Sequence, residues 1–368
     1  MNRIQTGTLL IADITGYTLF LNESELEHAQ EILTTLLNLL IKQTRPPLII
    51  SRTAGDAVIS YALGRPHIQG QTFVELLEDT YVAFRRAIEL MILNNTCRCA
   101  ACANVGALDL KFFVHFGEFG LQRLGDHDEL VGNDVNQLHR LLKNHITETL
   151  GLRAYTLFTA AAVDALGLGE MTEGMTPHAE RYEHLGEAKL FVQDMKPVWE
   201  ARRETAGVDI PVRDVLISVS EEFPLPPHLI WDALLKPEYR SLLTGAVDQT
   251  IGNRQAGRVA PGTVIHCDHG DSVTHQRILT WRPFEMMLTE DVTPLGGATC
   301  LNRTRLTPID DGTRLEVTLG RGHGNPIARL LLEIYIRWKL PGFIAAGLAQ
   351  LRDSLVTPAD APPQTSND

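Results

Sequence analysis

Two acidic residues near the N-terminus have the type and the surroundings that a divalent-cation site requires. Asp13 follows a short apolar strand, residues 8–12, and Gly16 comes three positions later, so a tight turn there can bring backbone close to a phosphate. Asp56 follows Gly55 in a turn between two strand-like runs. Carboxylates on adjacent strands of one sheet can share hard divalent cations. Taken singly, each segment also fits an ordinary cap or hairpin turn.

A third segment offers an amide and a guanidinium. A helix that begins near Asn133 places Asn136 and Arg140 four positions apart, on one face. An amide suits a ribose hydroxyl, and a guanidinium suits the charge that develops on a phosphate during transfer. The same pair is also common on solvated helices, which is the simpler interpretation.

Alternating strands and helices must position these residues. The pattern predicts strands at 8–12, 48–51, 57–62 and 108–116, and helices at 73–93, at 134–144 and after a capping box at Ser24 to Glu27. The order β-α-β-β-α-β is that of the split βαβ, ferredoxin-like sheet. A strand-helix extension at 154–167 and a hairpin at 180–192 follow. The predicted class is therefore α+β.

Together these segments resemble the class III adenylyl and guanylyl cyclases over nearly all of residues 1–203. The segments that carry the resemblance are Asp13 to Thr18, Arg52 to Asp56, Phe113 to Gly117, Glu129 to Arg140 and His184 to Lys189. The resemblance implies that Asp13, Asp56 and the Ile14 carbonyl bind two Mg²⁺ or Mn²⁺ ions per site. It further implies that Asn136 orients the ribose and that Arg140 meets the α-phosphate. Arg52 and Glu129 occupy the purine-reading positions.

The implied activity is conversion of ATP to cyclic AMP and diphosphate. In this family one site takes its metal residues and its base-reading residues from different subunits, which implies a homodimer. The sequence departs from the family at Arg52, usually Lys in adenylyl cyclases, and at Glu129, usually Asp or Thr. Leu185 stands at the position of the triphosphate-binding Lys, and the candidate substitutes are Lys189, on the same hairpin, and Lys143. The alternative is a catalytically inactive, cyclase-like scaffold.

Three cysteines crowd together at Cys97, Cys99 and Cys102. Three thiolates at this spacing supply most of a Zn²⁺ or iron–sulfur site, and a His or a residue of a second subunit would have to complete it. The other interpretation is a loop with three reduced thiols.

A linker at 204–211 leads to a second pattern, at 212–356, that resembles the START or polyketide-cyclase-like helix-grip fold. The resemblance rests on an opening strand at 212–222, on the segment Pro226 to Leu234, on a series of strand-like runs and on a final helix at 327–354 that Pro341 is expected to kink. It implies a curved antiparallel sheet around a long helix, with an apolar cavity for a hydrophobic, regulatory small molecule. The alternative is a filled core. The pattern contains no nucleophile–base arrangement that would indicate a hydrolase.

The charge and composition of the chain limit the kinds of partner and the location that we expect. The chain has 368 residues and a formal net charge of −12, which argues against nucleic acid as a partner because sequence-independent binding needs a basic surface. No uncharged apolar stretch reaches the ~18 residues of a membrane-spanning helix, so no membrane insertion is expected. The N-terminus lacks the pattern of a signal peptide, and five cysteines do not suggest a disulfide framework, so we expect a cytoplasmic protein. The tail at 357–368 is expected to be disordered.

Overall fold

The chain divides into two units, Met1–Thr205 and Ala206–Asp368. The computed structural model describes residues 4–64, 68–94, 97, 99–124, 127–182, 186–204 and 208–356. Two of the sequence predictions, the disordered tail at 357–368 and the position of Leu185, fall outside these residues.

In the described residues, the first unit contains eight strands and eight α-helices. The strands are β1 Ile4–Thr15, β2 Ile49–Ala54, β3 Ala57–Leu63, β4 Asp109–Leu124, β5 His127–Val131, β6 Tyr155–Thr159, β7 Thr176–Tyr182 and β8 Gly186–Asp194. The helices are α1 Tyr17–Asn22, α2 Leu26–Thr44, α3 Gly70–Leu93, α4 Ala100–Asn104, α5 Asn133–Leu141, α6 Ile146–Leu150, α7 Ala160–Leu166 and α8 Lys196–Glu204.

The strand order of the first sheet is β2-β3-β1-β4-β6-β8-β7, with β5 paired to β4. Strands β1 to β4 form the β4-β1-β3-β2 arrangement in which the hairpin strand β3 runs antiparallel to β1 and β4 flanks β1 on the other side. This is the sheet of a split βαβ fold, so the predicted α+β, ferredoxin-like core is confirmed.

The central strand β1 is covered on both faces. Leu9 to Ala12 are all buried, and the side chains of a strand alternate between its two faces. Leu9 and Ile11 belong to the core cluster that also contains Val135 of α5. Asp13 continues this alternation, so its carboxylate projects on the α5 side, one step beyond the apolar cover.

The predicted capping box at the start of α2 is wrong. Glu25 is the N-cap residue, and no side chain caps the first turn. The Glu25 carboxylate instead accepts a hydrogen bond from the Ala101 N–H at 3.2 Å. The carboxylate therefore ties the start of α2 to α4 rather than satisfying its own helix.

Over residues 208–356, the second unit forms one antiparallel sheet and four α-helices. Its strands are β9 Val215–Phe223, β10 Asp248–Gly252, β11 Val264–Asp268, β12 Val273–Arg282, β13 Met286–Val292, β14 Thr299–Ile309 and β15 Gly312–His323. Its helices are α9 Pro227–Leu234, α10 Pro237–Thr244, α11 Pro326–Trp338 and α12 Leu340–Val356. The strand order is β10-β11-β12-β13-β14-β15-β9. The first strand of this unit in sequence, β9, therefore forms one edge of the sheet beside the last strand, β15.

The predicted long final helix is two helices. α11 ends at Trp338, and Pro341 lies in the first turn of α12, where its missing N–H costs no helical hydrogen bond. Leu332 and Ile336 of α11 and Leu348 of α12 enter the core of the unit beside Trp231. Register shifts between β12 and β13, β14 and β15, and β15 and β9 bend the sheet locally.

Candidate functional site

Asp13 and Asp56 meet at one edge of the first sheet. Asp13 pairs with Ala57 across β1 and β3, and the Ile14 N–H donates to the Asp56 carbonyl at 3.1 Å. Because Asp56 directly precedes Ala57, this register sets the two acidic residues side by side. The structure thus brings together the carboxylates that a shared cation site requires.

Negative charge at this edge is only partly balanced. Burial, together with the nearby charge of Asp56, raises the pKa of Asp13 to about 6, and Lys111 acts in the opposite direction. Burial also raises the pKa of Asp56. Two half-buried carboxylates that resist ionisation side by side gain from a divalent cation, which favours the charged form of both. Oxygen donors of this kind fit Mg²⁺ or Mn²⁺.

Lys111 is a neighbour of this edge that sequence reasoning missed. It lies opposite Asp13 on β4, and its ammonium group stands 5.1 Å from the centre of the Tyr155 ring. Burial lowers its pKa, while the charge of Asp13 acts against that shift. The only signal in the sequence was its place in an alternating strand, and alternation does not fix which residue of a neighbouring strand lies opposite.

The turn after Asp13 requires a glycine. Gly16 has a φ of +89°, and a Cβ at this position would lie 3.2 Å from the Ala107 carbonyl oxygen. Its own carbonyl accepts from the Phe20 N–H at 3.0 Å, which starts α1. The chain therefore leaves the acidic edge in close contact with the segment that leads into β4. The approach of Gly16 to a phosphate stays a prediction.

Helix α5 presents Asn136 and Arg140 on its exposed face. Its other face is apolar and packs into the sheet core through Val135, Leu138 and Leu141. The helix start is fixed to β4, because Asp134 accepts from the Glu118 N–H at 2.6 Å. The amide and the guanidinium are therefore held one turn apart and directed away from their own sheet.

The two predicted purine-reading residues contact each other. Arg52 of β2 donates from Nη1 to Oε1 of Glu129 on β5, at 2.7 Å. His139 of α5 lies beside this pair: burial and the Arg52 charge lower its pKa, and Glu129 acts in the opposite direction. A cation and a hydrogen-bond acceptor are thus available together. A purine that bound here would have to replace the ion pair between Arg52 and Glu129.

The late hairpin contributes Lys189. It lies on β8 opposite Ala179 of β7, with an exposed side chain. Its role at a triphosphate, as a replacement for the lysine that Leu185 displaces, stays a prediction.

The three clustered cysteines come together, and a histidine from another part of the chain joins them. One ligand atom from each of Cys97, Cys99, Cys102 and His28 lies within 4.8 Å of the others. His28 sits in the first turn of α2, and nothing in the local sequence linked it to the cysteines.

The second unit contains a cavity of about 440 Å³ that is partly open to solvent. Its walls come from the sheet and from α10, α11 and α12, and apolar side chains such as Leu332, Ile336 and Ile344 form much of them. The predicted cavity of the helix-grip fold is therefore present, and the alternative of a filled core is wrong.

One wall of the cavity carries a buried polar network that the sequence did not reveal. Arg240 donates from Nη2 to the Gln276 Oε1 at 2.6 Å. The Asp291 carboxylate accepts from the Gln276 amide and the Asn302 amide at 3.0 Å each, and from the Thr289 hydroxyl at 2.6 Å. Burial raises the pKa of Asp291 and lowers that of Arg240.

Two polar atoms of this wall remain without a hydrogen-bond partner within the described chain: Arg240 Nε, a donor, and Asn302 Oδ1, an acceptor. Both residues line the cavity. Buried polar atoms in native proteins are usually satisfied, so these two atoms are an unusual feature of the wall, although neither atom is itself exposed to the cavity.

His266 and Asp268 share the exposed face of β11, because alternate residues of a strand project to the same side. The His266 ring contacts the ring of His275 across the strand pair, with 2.8 Å between the two Nδ1 atoms. This contact lies on the solvent side of the sheet.

Among the described residues, no helix combines the length and the apolarity needed to cross a membrane.

Two protein families match the chain, one in each unit. Residues 33–149 match a family described as "protein of unknown function (DUF2652)". Residues 214–356 match the family "polyketide cyclase / dehydrase and lipid transport", which confirms the predicted resemblance of the second unit. An uncharacterized protein of Mycobacterium tuberculosis is 28% identical over 156 residues, which cover 40% of this chain and 69% of that protein.

Solved structures similar to this chain include adenylyl and guanylyl cyclases. A bacterial light-regulated adenylyl cyclase has a TM-score of 0.40 at 11% identity, over 55% of this chain and 58% of that one. This chain therefore spans less than two thirds of that cyclase. The guanylyl cyclase Cya2 has a TM-score of 0.39 at 12% identity, over 52% and 92% of the two chains. The adenylyl cyclase CyaB from P. aeruginosa has a TM-score of 0.37 at 16% identity, over 52% and 95%.

Proposed function

We propose that the first unit is a nucleotidyl cyclase that converts ATP to cyclic AMP and diphosphate at the interface of a homodimer. One observation carries the proposal: Asp13 and Asp56 lie side by side at a sheet edge, half-buried, with a raised pKa at both. Such a pair costs stability in the absence of a cation, and metal binding is the function that repays this cost.

The reaction joins the ribose 3′-oxygen to the α-phosphorus, breaks the bond to the leaving diphosphate and removes the 3′-hydroxyl proton. Two divalent cations, when bound, lower the pKa of that hydroxyl and neutralise the triphosphate. In the proposal Asp13, Asp56 and the Ile14 carbonyl hold these ions. Asn136 orients the ribose through its amide, and Arg140 stabilises charge on the α-phosphate.

The second chain enters the proposal because of the position of α5. Asn136 and Arg140 are exposed on the face of α5 that is turned away from their own sheet, which supports their use by a neighbouring copy. A pairing of two chains in which each offers its acids to the other's α5 would build two equivalent sites.

Base recognition in the proposal uses Arg52 and Glu129. Their mutual contact of 2.7 Å keeps both polar groups satisfied before the nucleotide arrives. Adenine can replace it with a donor from Arg52 and an acceptor from Glu129. ATP is preferred over GTP because this cation-plus-carboxylate pair resembles the adenine-reading pair of the cyclase family more than its guanine-reading pair. Lys189 is proposed to meet the triphosphate.

The direct experiment is incubation of the purified protein with Mn²⁺ and ATP, followed by mass spectrometry for cyclic AMP. We expect product from the wild type, and at least a ~100-fold lower rate from Asp56→Asn, which keeps the side-chain size but loses the metal-binding charge. Asp164→Asn is the matched control, because Asp164 is exposed on α7. No cyclic nucleotide from the wild type with either ATP or GTP would refute the proposal.

For the second unit we propose a hydrophobic small molecule with one polar group as a regulatory ligand. The cavity volume and its apolar walls support an apolar body. The polar side chains of Arg240, Gln276 and Asn302 in its lining support one polar group at the Asp291 wall. The name of the matching family, which includes lipid transport, agrees with such a ligand. Mass spectrometry of a solvent extract of the purified protein would reveal it.

A non-catalytic function is the second candidate. The Arg52–Glu129 contact closes the base-reading pair within one chain, and Leu185 removes the family's triphosphate lysine. In that case the first unit serves as a scaffold and the second binds the ligand. A protein that binds the hydrophobic ligand but makes no cyclic nucleotide would favour this candidate.

A further inference from the structure

Four side chains with strong affinity for soft and borderline metals converge outside the acidic edge. Cys97 Sγ lies 3.7 Å from His28 Nδ1, and Cys99 Sγ lies 3.1 Å from the same nitrogen. Cys102 completes the group, in which the four ligand atoms all lie within 4.8 Å of one another. All four residues are half-buried, so an ion can reach them from solvent.

These distances fit a single ion. Zn–S bonds of about 2.3 Å and Zn–N bonds of about 2.0 Å in a tetrahedron put neighbouring ligand atoms about 3.5–3.8 Å apart. The observed contacts need only small side-chain shifts to reach that geometry. An iron–sulfur cluster places its own sulfide and iron atoms between the cysteine sulfurs, which would require a wider opening than these four atoms leave.

Backbone hydrogen bonds already support negative charge on two of the sulfurs. The Cys99 N–H donates to Cys97 Sγ, and the Cys102 N–H donates to Cys99 Sγ, each at 3.4 Å. Donors of this kind stabilise thiolate ligands and fix their directions. The Glu25 carboxylate binds the Ala101 N–H and thereby holds the cysteine segment against the turn of α2 that carries His28.

We propose that Cys97, Cys99, Cys102 and His28 bind one Zn²⁺ in a closed, structural site. Three thiolates and one imidazole with four-coordinate geometry are a typical donor set for structural zinc. The ion links the start of α2 to the segment between α3 and β4. Both segments adjoin the turn after Asp13, since α1 precedes α2 and Gly16 packs on Ala107. Zinc therefore stabilises the chain on both sides of that turn.

The test is the zinc content of the full-length protein, purified with a thiol reductant from zinc-supplemented cells. Inductively coupled plasma mass spectrometry should find one zinc per wild-type chain, and Cys102→Ser should retain less than about a tenth of it. Cys267→Ser is the matched control, because Cys267 is a buried thiol of the second unit, and it should keep a full equivalent. Equal zinc in all three proteins, or none in a reduced wild type, would overturn the proposal.

A second pair of variants tests the histidine. His28→Ala should lose most of the zinc, and His28→Cys, which offers a fourth thiolate at the same place, should retain it. Because a ligand variant can fail to fold, the wild type is also stripped with chelator and titrated with Co²⁺. Intense absorption bands of a four-coordinate, thiolate-bound cobalt ion, displaced by one equivalent of Zn²⁺, are expected. Weak, octahedral-type bands would contradict the assignment.

Discussion

The two units treat buried charge in opposite ways. At the sheet edge of the first unit, Asp13 and Asp56 lie side by side with Lys111 as the cation that acts on Asp13, and both carboxyls have a raised pKa. On the cavity wall of the second unit, Asp291 accepts three hydrogen bonds, and Gln276 connects it to Arg240. The edge therefore sets one nearby cation against two carboxylates, which favours the binding of a further cation. The cavity wall already links its buried charged groups by hydrogen bonds, so its apolar surroundings favour an apolar ligand instead.

The largest expected effect comes from removing Arg240 from the buried polar network on the cavity wall of the second unit. Arg240→Met keeps much of the side-chain length but removes the positive charge near Asp291 and the donor to Gln276. We expect a loss of about 3–5 kcal/mol in the free energy of unfolding, because a buried charge loses its counterpart. Urea unfolding monitored by near-ultraviolet circular dichroism measures it. The double variant Arg240→Met/Asp291→Asn should recover part of the loss, and strictly additive effects would contradict a coupled network.

A narrower cavity should affect the second unit alone. Cys300 is buried at the cavity wall, and Cys300→Phe places a ring in that space. We expect a fluorescent naphthalene sulfonate probe to bind at least ~10-fold more weakly, a change of about 1.4 kcal/mol. Cys300→Ala, which leaves the cavity open, is the control and should bind as the wild type does. Unchanged probe affinity in Cys300→Phe would show that the cavity is not the binding site.

The acidic edge should make the metal-free first unit less stable as the pH rises. The pKa of Asp13 in the folded protein, about 6, lies above its value of 3.8 in a model peptide. The folded state therefore holds this proton more tightly, and the resulting stability is full below pH ~4 and is lost as the pH rises through ~6. Asp13→Asn stays neutral, so in chelator its advantage over the wild type should grow from pH 4.5 to pH 8.

The stability advantage of Asp13→Asn should reach about 1 kcal/mol. This is less than the free energy that the full pKa difference would give, because Asp13 is partly exposed. Thermal unfolding across the pH range measures it, and exposed Asp164→Asn should show no such trend. Added Mn²⁺ should raise the melting temperature of the wild type but not that of Asp13→Asn. A constant difference at all pH values would mean that Asp13 titrates normally.

The smallest expected effect concerns a surface ion pair in each unit. The Arg52–Glu129 pair of the first unit and the Arg314–Glu222 pair of the second have partly exposed side chains. Arg52→Ala and Arg314→Ala should each cost less than about 1 kcal/mol of stability. Only Arg52→Ala should weaken ATP binding, as measured by calorimetry with Ca²⁺ in place of Mn²⁺. An equal loss of ATP affinity in both variants would argue against base reading by Arg52.

The sequence predicted local features better than contacts between distant parts of the chain. Strand alternation and turn residues were enough to predict the order of β1 to β4 and the placement of Asp13 near Asp56. They could not predict which residues lie opposite each other, so Lys111 was missed. His28 joins cysteines some seventy positions away, and the partners on the cavity wall, Arg240 and Asp291, come from α10 and β13. No local pattern encodes such contacts, because tertiary packing creates them.

The capping box shows the same limit at short range. The segment Ser24 to Glu27 has the right residue types for a capping box. The Glu25 carboxylate nevertheless accepts a hydrogen bond from α4, and α2 starts without a side-chain cap. A local preference of about 1 kcal/mol yields readily to a tertiary contact of similar strength.

The central claim, that one chain's acids act with a neighbouring chain's α5, is tested most directly by complementation. Asp56→Asn and Asn136→Ala are each expected to abolish cyclic AMP formation when assayed alone. Mixing equal amounts under conditions that exchange subunits should restore about a quarter of wild-type activity, since half of the dimers then hold one intact site out of two. A mixture that stays as inactive as its components, while the wild type is active and subunit exchange is verified, would contradict the account.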